Sequence, residues 1–193
     1  MNHFQKSISF FSLCLLFALS ACTPETFEDA DGIKTEFTLT ATIAEGTTDG
    51  TEIKVGQFNI MDELLSDVKA NIERKDIPSP VEEGEITIRD LDVRQLRAKK
   101  ENSQDDFRFM ADIKVELVHE DSRILLGSLP EGDNNFYFSE LAFEVNEAAL
   151  LSEIEPGIVY DVVLTANYTK PIDAPEVFDL TFELSTGYSY TSN

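Results

Sequence analysis

"DDFRFMADIKVELV", residues 105–118, alternates more cleanly than any other stretch of this chain. Phe107, Phe109, Ala111, Ile113, Val115 and Leu117 hold the odd positions, against Arg108, Asp112, Lys114 and Glu116 on the even ones. A side-chain period of two belongs to a β-strand with one face on a core and the other in water. "HEDSR" (119–123) reads as a turn, and the apolar run Ile124–Leu129 follows as the next strand.

The same period recurs on both sides. Phe37, Leu39, Ala41 and Ile43 alternate with Glu36, Thr38, Thr40 and Thr42. Asp49-Gly50 is a hairpin-turn signal, with Ile53 and Val55 expected on the returning strand. Ile86 and Ile88 share one phase, Leu91 and Val93 the other, and a bulge near Arg89-Asp90 accounts for the change. Downstream, Leu141, Phe143 and Val145 alternate, as do Phe178, Leu180, Phe182 and Leu184. "IVYDVVLTANY" (158–168) is apolar on both faces and belongs in a sheet centre.

Two segments break this period. Met61, Leu64, Leu65, Val68 and Ile72 line one face of a helix over about 60–74, with Asn59 as its cap and Pro78 and Pro80 beyond it. Asn146–Ile154 reads as a short helix, capped by Asn146 and ended by Pro156-Gly157. Seven or eight strands separated by turn signals give an all-β class, an antiparallel β-sandwich, with the first helix covering one end or edge.

The N-terminus has a different character. Residues 1–9 carry Lys6 and no acid, Phe10–Leu19 is an apolar run, and Ser20 and Ala21 are small. That order is the pattern of a secretory signal, and the run is shorter than the roughly 20 residues a membrane-spanning helix needs. Leu19-Ser20-Ala21-Cys22 resembles the lipobox of bacterial lipoproteins. The resemblance implies cleavage after Ala21 and acylation of Cys22, so that a lipid bilayer is the first partner. More than one acyl chain is needed for stable anchoring. Cys14 leaves with residues 1–21, so no disulfide is expected. Residues 22–34 read as the lipidated cysteine and an acidic tether, and 35–190 as a single sandwich domain.

The 193 residues carry 15 Lys and Arg against 37 Asp and Glu, a net charge of −22. Nucleic acid is excluded as a partner, since phosphate binding needs clustered cations. Without Cys14 and Cys22, His119 is the one histidine beyond the signal and sits in a turn, too little for a structural zinc site or a nucleophilic triad. Asp29-Ala30-Asp31-Gly32 begins like a calcium loop, but Ile33 and Thr40 fall where such a loop needs oxygen ligands. Asp133 and Asn135 are the weak candidates for a calcium site, although turn chemistry explains both. No cofactor is expected. No spacing singles out the facing carboxylate pair that a small hydrolase needs, so the expectation is a non-enzyme. With no Trp, the aromatics available for a glycan or protein partner are the tyrosines, and Tyr188 and Tyr190 share one strand face.

Taken in order, "DLDVRQLRAK", "DDFRFMADIKVELV", "LAFEVNEAALLSEI", "IVYDVVLTANYT" and "VFDLTFELS" resemble a group of uncharacterised Bacteroidetes lipoproteins with an immunoglobulin-like β-sandwich. The resemblance implies that fold and a cell-envelope location, anchored in the outer membrane. The acids behind Cys22 resemble the export signal of surface lipoproteins and favour surface exposure over a periplasmic orientation. No catalytic residue comes with it. The expected role is binding or structural, with a nutrient-uptake or adhesion module that binds glycan or protein as the alternative.

Overall fold

The computed structural model describes residues 26–75, 85–102, 104–132, 136, 138–146 and 150–191. Nine strands form two antiparallel sheets. They are β1 (Thr26–Ile43), β2 (Glu52–Phe58), β3 (Glu85–Lys99), β4 (Met110–His119), β5 (Ser122–Leu129), β6 (Glu140–Ala142), β7 (Glu144–Val145), β8 (Tyr160–Tyr168) and β9 (Glu176–Thr191). One sheet has the order β1-β9-β3-β6 and the other β2-β8-β4-β5-β7. Helix α1 (Ile60–Arg74) lies between β2 and β3 in the chain.

The all-β sandwich agrees with the sequence, but its strand order is not that of an immunoglobulin domain, which pairs strands A-B-E-D against C-F-G. Here the pairing is nested around the Glu120-Asp121 turn: β4 with β5, β3 with β6, β2 with β8 and β1 with β9. Such a ribbon, folded over so that β9 also pairs β3 and β8 also pairs β4, is a jelly roll. Alternation reveals how many strands there are and which face is buried. It does not reveal which strand lies beside which.

Four local expectations are corrected. Asp49-Gly50 does turn, with Gly50 at φ +70°, but β1 and β2 enter opposite sheets and form no hairpin. Phe107 and Phe109 are buried, yet they sit in a turn before β4. The run 141–145 changes sheets at Phe143, whose N–H donates to Leu96 O at 3.0 Å. Of the expected helix 146–154, the described part is a single 3-10 turn, Leu150–Ser152, and Asn146 donates to Leu125 and Leu126 carbonyls of β5.

Helix α1 has the expected bounds. The Asn59 side chain accepts from Asp62 N–H at 3.3 Å, and Asp62 and Glu63 occupy the positive first turn. The expected bulge in β3 is present as a register shift between Ile88 and Asp90.

The acidic tether is shorter than expected. β1 begins at Thr26, and residues 26–29 and 33–34 pair with the end of β9. Phe27 stacks on Tyr190 at 6.3 Å, and Ile33 packs under α1. The two apolar residues are separated by a break in register between Asp29 and Ile33, so no period of two marks this part of the strand.

The core divides along the long strands. Between the sheets, Phe37, Phe58 and Phe182 form a cluster with centroids 4.8–5.9 Å apart. Beyond the shorter sheet, β1, β9 and β3 continue, and α1 covers them with Val68 and Ile72 against Tyr188 and Tyr190.

Candidate functional site at the four-loop end

Four connections meet at one end of the sandwich: 44–51, 100–109, 130–139 and 169–175. Nested pairing brings them together, because β1, β3, β5 and β8 all run toward this end. Backbone hydrogen bonds join them. Gly46 N–H donates to Ile172 O, Lys100 N–H to Ser139 O, Phe107 N–H to Phe136 O and Thr169 N–H to Phe109 O, all at 2.9–3.0 Å.

Between the first and last loops lies a cleft of about 440 Å³, lined by Gly46–Asp49 and Tyr168–Ile172. Asp49 Oδ1 accepts from Tyr168 N–H at 2.7 Å, which fixes the two walls to each other. Thr47 and Thr169 donate their hydroxyls to Ala44 O and Arg108 O, leaving their oxygen lone pairs as acceptors. Asp49 and Lys170 are the charged residues of the lining. The Tyr168 hydroxyl is buried with no hydrogen-bond partner among the described residues. Desolvation, and then the nearby Asp49 charge, push its pKa above the usual tyrosine value.

Beside the cleft, Lys100 is 6% exposed. Its Nζ lies 2.6 Å from Glu176 Oε2 and 4.7 and 5.5 Å from the ring centroids of Phe109 and Phe107. A carboxylate and two ring faces replace its water, so this ammonium ties the end of β3 to the start of β9. Nothing in the local pattern separates Lys100 from its neighbour Lys99. Arg108 holds the Asp106 carboxyl below its usual range, chiefly through a 2.7 Å hydrogen bond. Phe138, 59% exposed, is also at this end.

Tyr188 and Tyr190 are elsewhere, and they are not a surface platform. They are 3% and 0% exposed under α1, in a strand flanked on both sides. The Tyr188 hydroxyl accepts from Asn71 Nδ2 at 3.0 Å, and Asn71 also reaches Asp29 at 3.2 Å. The signal was present in the sequence: both tyrosines continue the even positions Phe178 to Leu184. His119 is the last residue of β4 rather than part of the turn, and it is half-buried, its Nδ1 3.1 Å from Val159 O and its ring 5.8 Å from Tyr160. Leu19, Ser20, Ala21 and Cys22, and the calcium candidates Asp133 and Asn135, lie outside the described residues. Among the described residues no group of three or more His, Cys, Asp or Glu could hold a metal ion. No described helix is long and apolar enough to cross a membrane.

No family model and no curated protein matches the sequence. Among solved structures, the chain is similar to one from Desmodium yellow mottle tymovirus, with 13% identity, 89% of each chain covered and a TM-score of 0.22. A likeness at that score carries no argument about fold or function.

Proposed function

We propose that this chain is an exported lipoprotein, acylated at Cys22 and held in the outer membrane of a Gram-negative cell envelope. Its sandwich serves as a non-catalytic binding or structural module. The observation that carries the reading is Leu19-Ser20-Ala21-Cys22 directly behind a basic start and a ten-residue apolar run. The chemistry agrees, because a thiolate is the nucleophile that takes the lipid. The test is Cys22→Ser in the full chain. Loss of the lipid mass from the N-terminal peptide and release from membranes are expected; a variant that still pellets with membranes contradicts the reading.

A second reading, a module that binds glycan or protein, is favoured by the cleft between residues 46–49 and 168–172 and by Phe138 at the same end. Threonine acceptors, one carboxylate and one ammonium suit a polar, uncharged ligand. Titration of neutral oligosaccharides against the isotope-labelled domain tests it. Shifts confined to residues 46–49 and 168–172 support the reading, and shifts absent or scattered over the sheets oppose it.

A further inference from the structure

The point where the anchored chain enters the sandwich is fixed, and it is at the end opposite the cleft. Thr26 pairs with Thr191, which also pairs with Glu85, so the first residue of β1 is in register at the far end of three strands. Side chains hold that segment down. Phe27 stacks on Tyr190, Glu28 Oε1 lies 2.7 Å from Arg89, and Asp29 accepts from Asn71 and pairs with Lys75.

Chain length then limits where this end can be. Cys22 and Thr26 are four residues apart, which spans at most about 14 Å when fully extended. The headgroup layer alone is several ångströms thick. The start of β1 therefore lies close to the lipid surface. At its other end β1 reaches the four loops, about 45 Å away after discounting the bulge residues.

Charge follows the same axis. Helix α1 runs antiparallel to β1, since Asp67 meets Thr35 while Lys75 meets Asp29. Its last two turns and cap carry Lys69, Arg74 and Lys75 against Glu73, and they point to the Thr26 end, where Arg89 also lies beside Glu28, Asp29 and Glu85. The four-loop end carries Lys100, Arg108 and Lys170 against Glu45, Asp49, Glu101, Asp105, Asp106, Glu131 and Asp173. Among the described residues the helix end is thus nearly balanced and the loop end acidic, so phosphates repel the helix end less.

We propose that the domain stands on the bilayer by its helix end, with the C-terminus of α1 against the phospholipid headgroups and the cleft facing away from the membrane. This rests on the reading of Cys22 as the anchor.

The test uses the full lipoprotein in vesicles. Once residues 1–21 are removed, Cys22 is the remaining cysteine, so one introduced thiol carries one fluorophore. Glu73→Cys marks the helix end and Asp173→Cys the loop end, both at exposed positions. Lipids with a nitroxide on the headgroup supply a short-range quencher. Several-fold quenching at position 73 and none at position 173 is expected. Acylated protein with equal quenching at both positions, or stronger quenching at 173, overturns the orientation alone. A Cys22 found without lipid overturns both the anchor and the orientation.

Discussion

Strand β9 crosses two kinds of core. From Phe178 to Leu184 its inward residues face the other sheet, in a cluster of phenylalanines and aliphatics. From Thr186 to Tyr190 they face a single helix, and the tyrosines there keep polar neighbours: Asn71 for Tyr188, with Asp29 and Lys75 beside it. The first core is apolar and shared by both sheets. The second is small, and it depends on α1 and on the first residues of β1. A long sheet need not be matched by an equally long partner if a helix covers the overhang, but that cover contributes less apolar area.

The largest effect should come from the sheet-on-sheet half. Phe182→Ala removes a fully buried ring stacked on Phe37, and should cost about 4 kcal/mol and unfold the whole domain in denaturant. Ile72→Ala, fully buried under the tyrosines, should cost about 3 kcal/mol. Its signature should be local, with amides of α1 and of residues 186–191 exchanging faster than those of β4 and β8. Uniform acceleration across both halves would mean that the two cores are one cooperative unit.

The junction between the halves gives the next two effects. Gly187 N–H donates to Asp90 Oδ1 at 2.7 Å, and a Cβ on Gly187 would lie 2.5 Å from that carboxylate. Gly187→Ala should displace Asp90 and cost about 2 kcal/mol, seen as a lower denaturant midpoint. In an Asp90→Ala background the same change should cost less. Thr186 has a buried hydroxyl with no partner among the described residues, so Thr186→Val should raise stability by about 1 kcal/mol. A destabilised variant would show that this hydroxyl is satisfied in solution.

The smallest effect lies on the outer face of the sheet-on-sheet half. Lys54 and then Gln57 hold the Asp161 carboxyl below its ordinary value of 3.8. The folded-state value is depressed, so its stabilisation is present above about pH 4 and is lost as pH falls through the lowered value. Asp161→Asn should therefore be slightly less stable than the parent at pH 7, and the gap should shrink as pH falls below about 4. A gap that does not shrink with falling pH would remove the ion pair as its cause.

The sequence showed what is local. The alternation from Ile113 to Leu117, the helix face from Met61 to Ile72 and the phase change near Arg89 are each readable within about fifteen residues, and each is present. What it concealed was pairing at long range. Nothing near Ile43 distinguishes a partner at residue 53 from one at residue 176. Tyr188 and Tyr190 continue the buried phase of Phe178 to Leu184, but nothing near them shows that a helix more than a hundred residues earlier, and not the other sheet, covers them. The cleft was illegible for the same reason, because its walls are 44–51 and 169–172. Residues 26–34 were concealed differently. Their acids and the register break hid Phe27 and Ile33, two apolar residues that a free spacer does not need.

Those nine residues separate the two accounts of the N-terminus most sharply. Hydrogen exchange on the intact chain lacking residues 1–21 measures them directly. Slow exchange at the paired positions of 26–29 and 33–34, at rates matching residues 186–191 of β9, is the expected result. Exchange there at the rate of an unfolded peptide would mean that the segment is a spacer, that the helix-covered core lacks its outer strand, and that the anchor leaves the orientation of the domain undetermined.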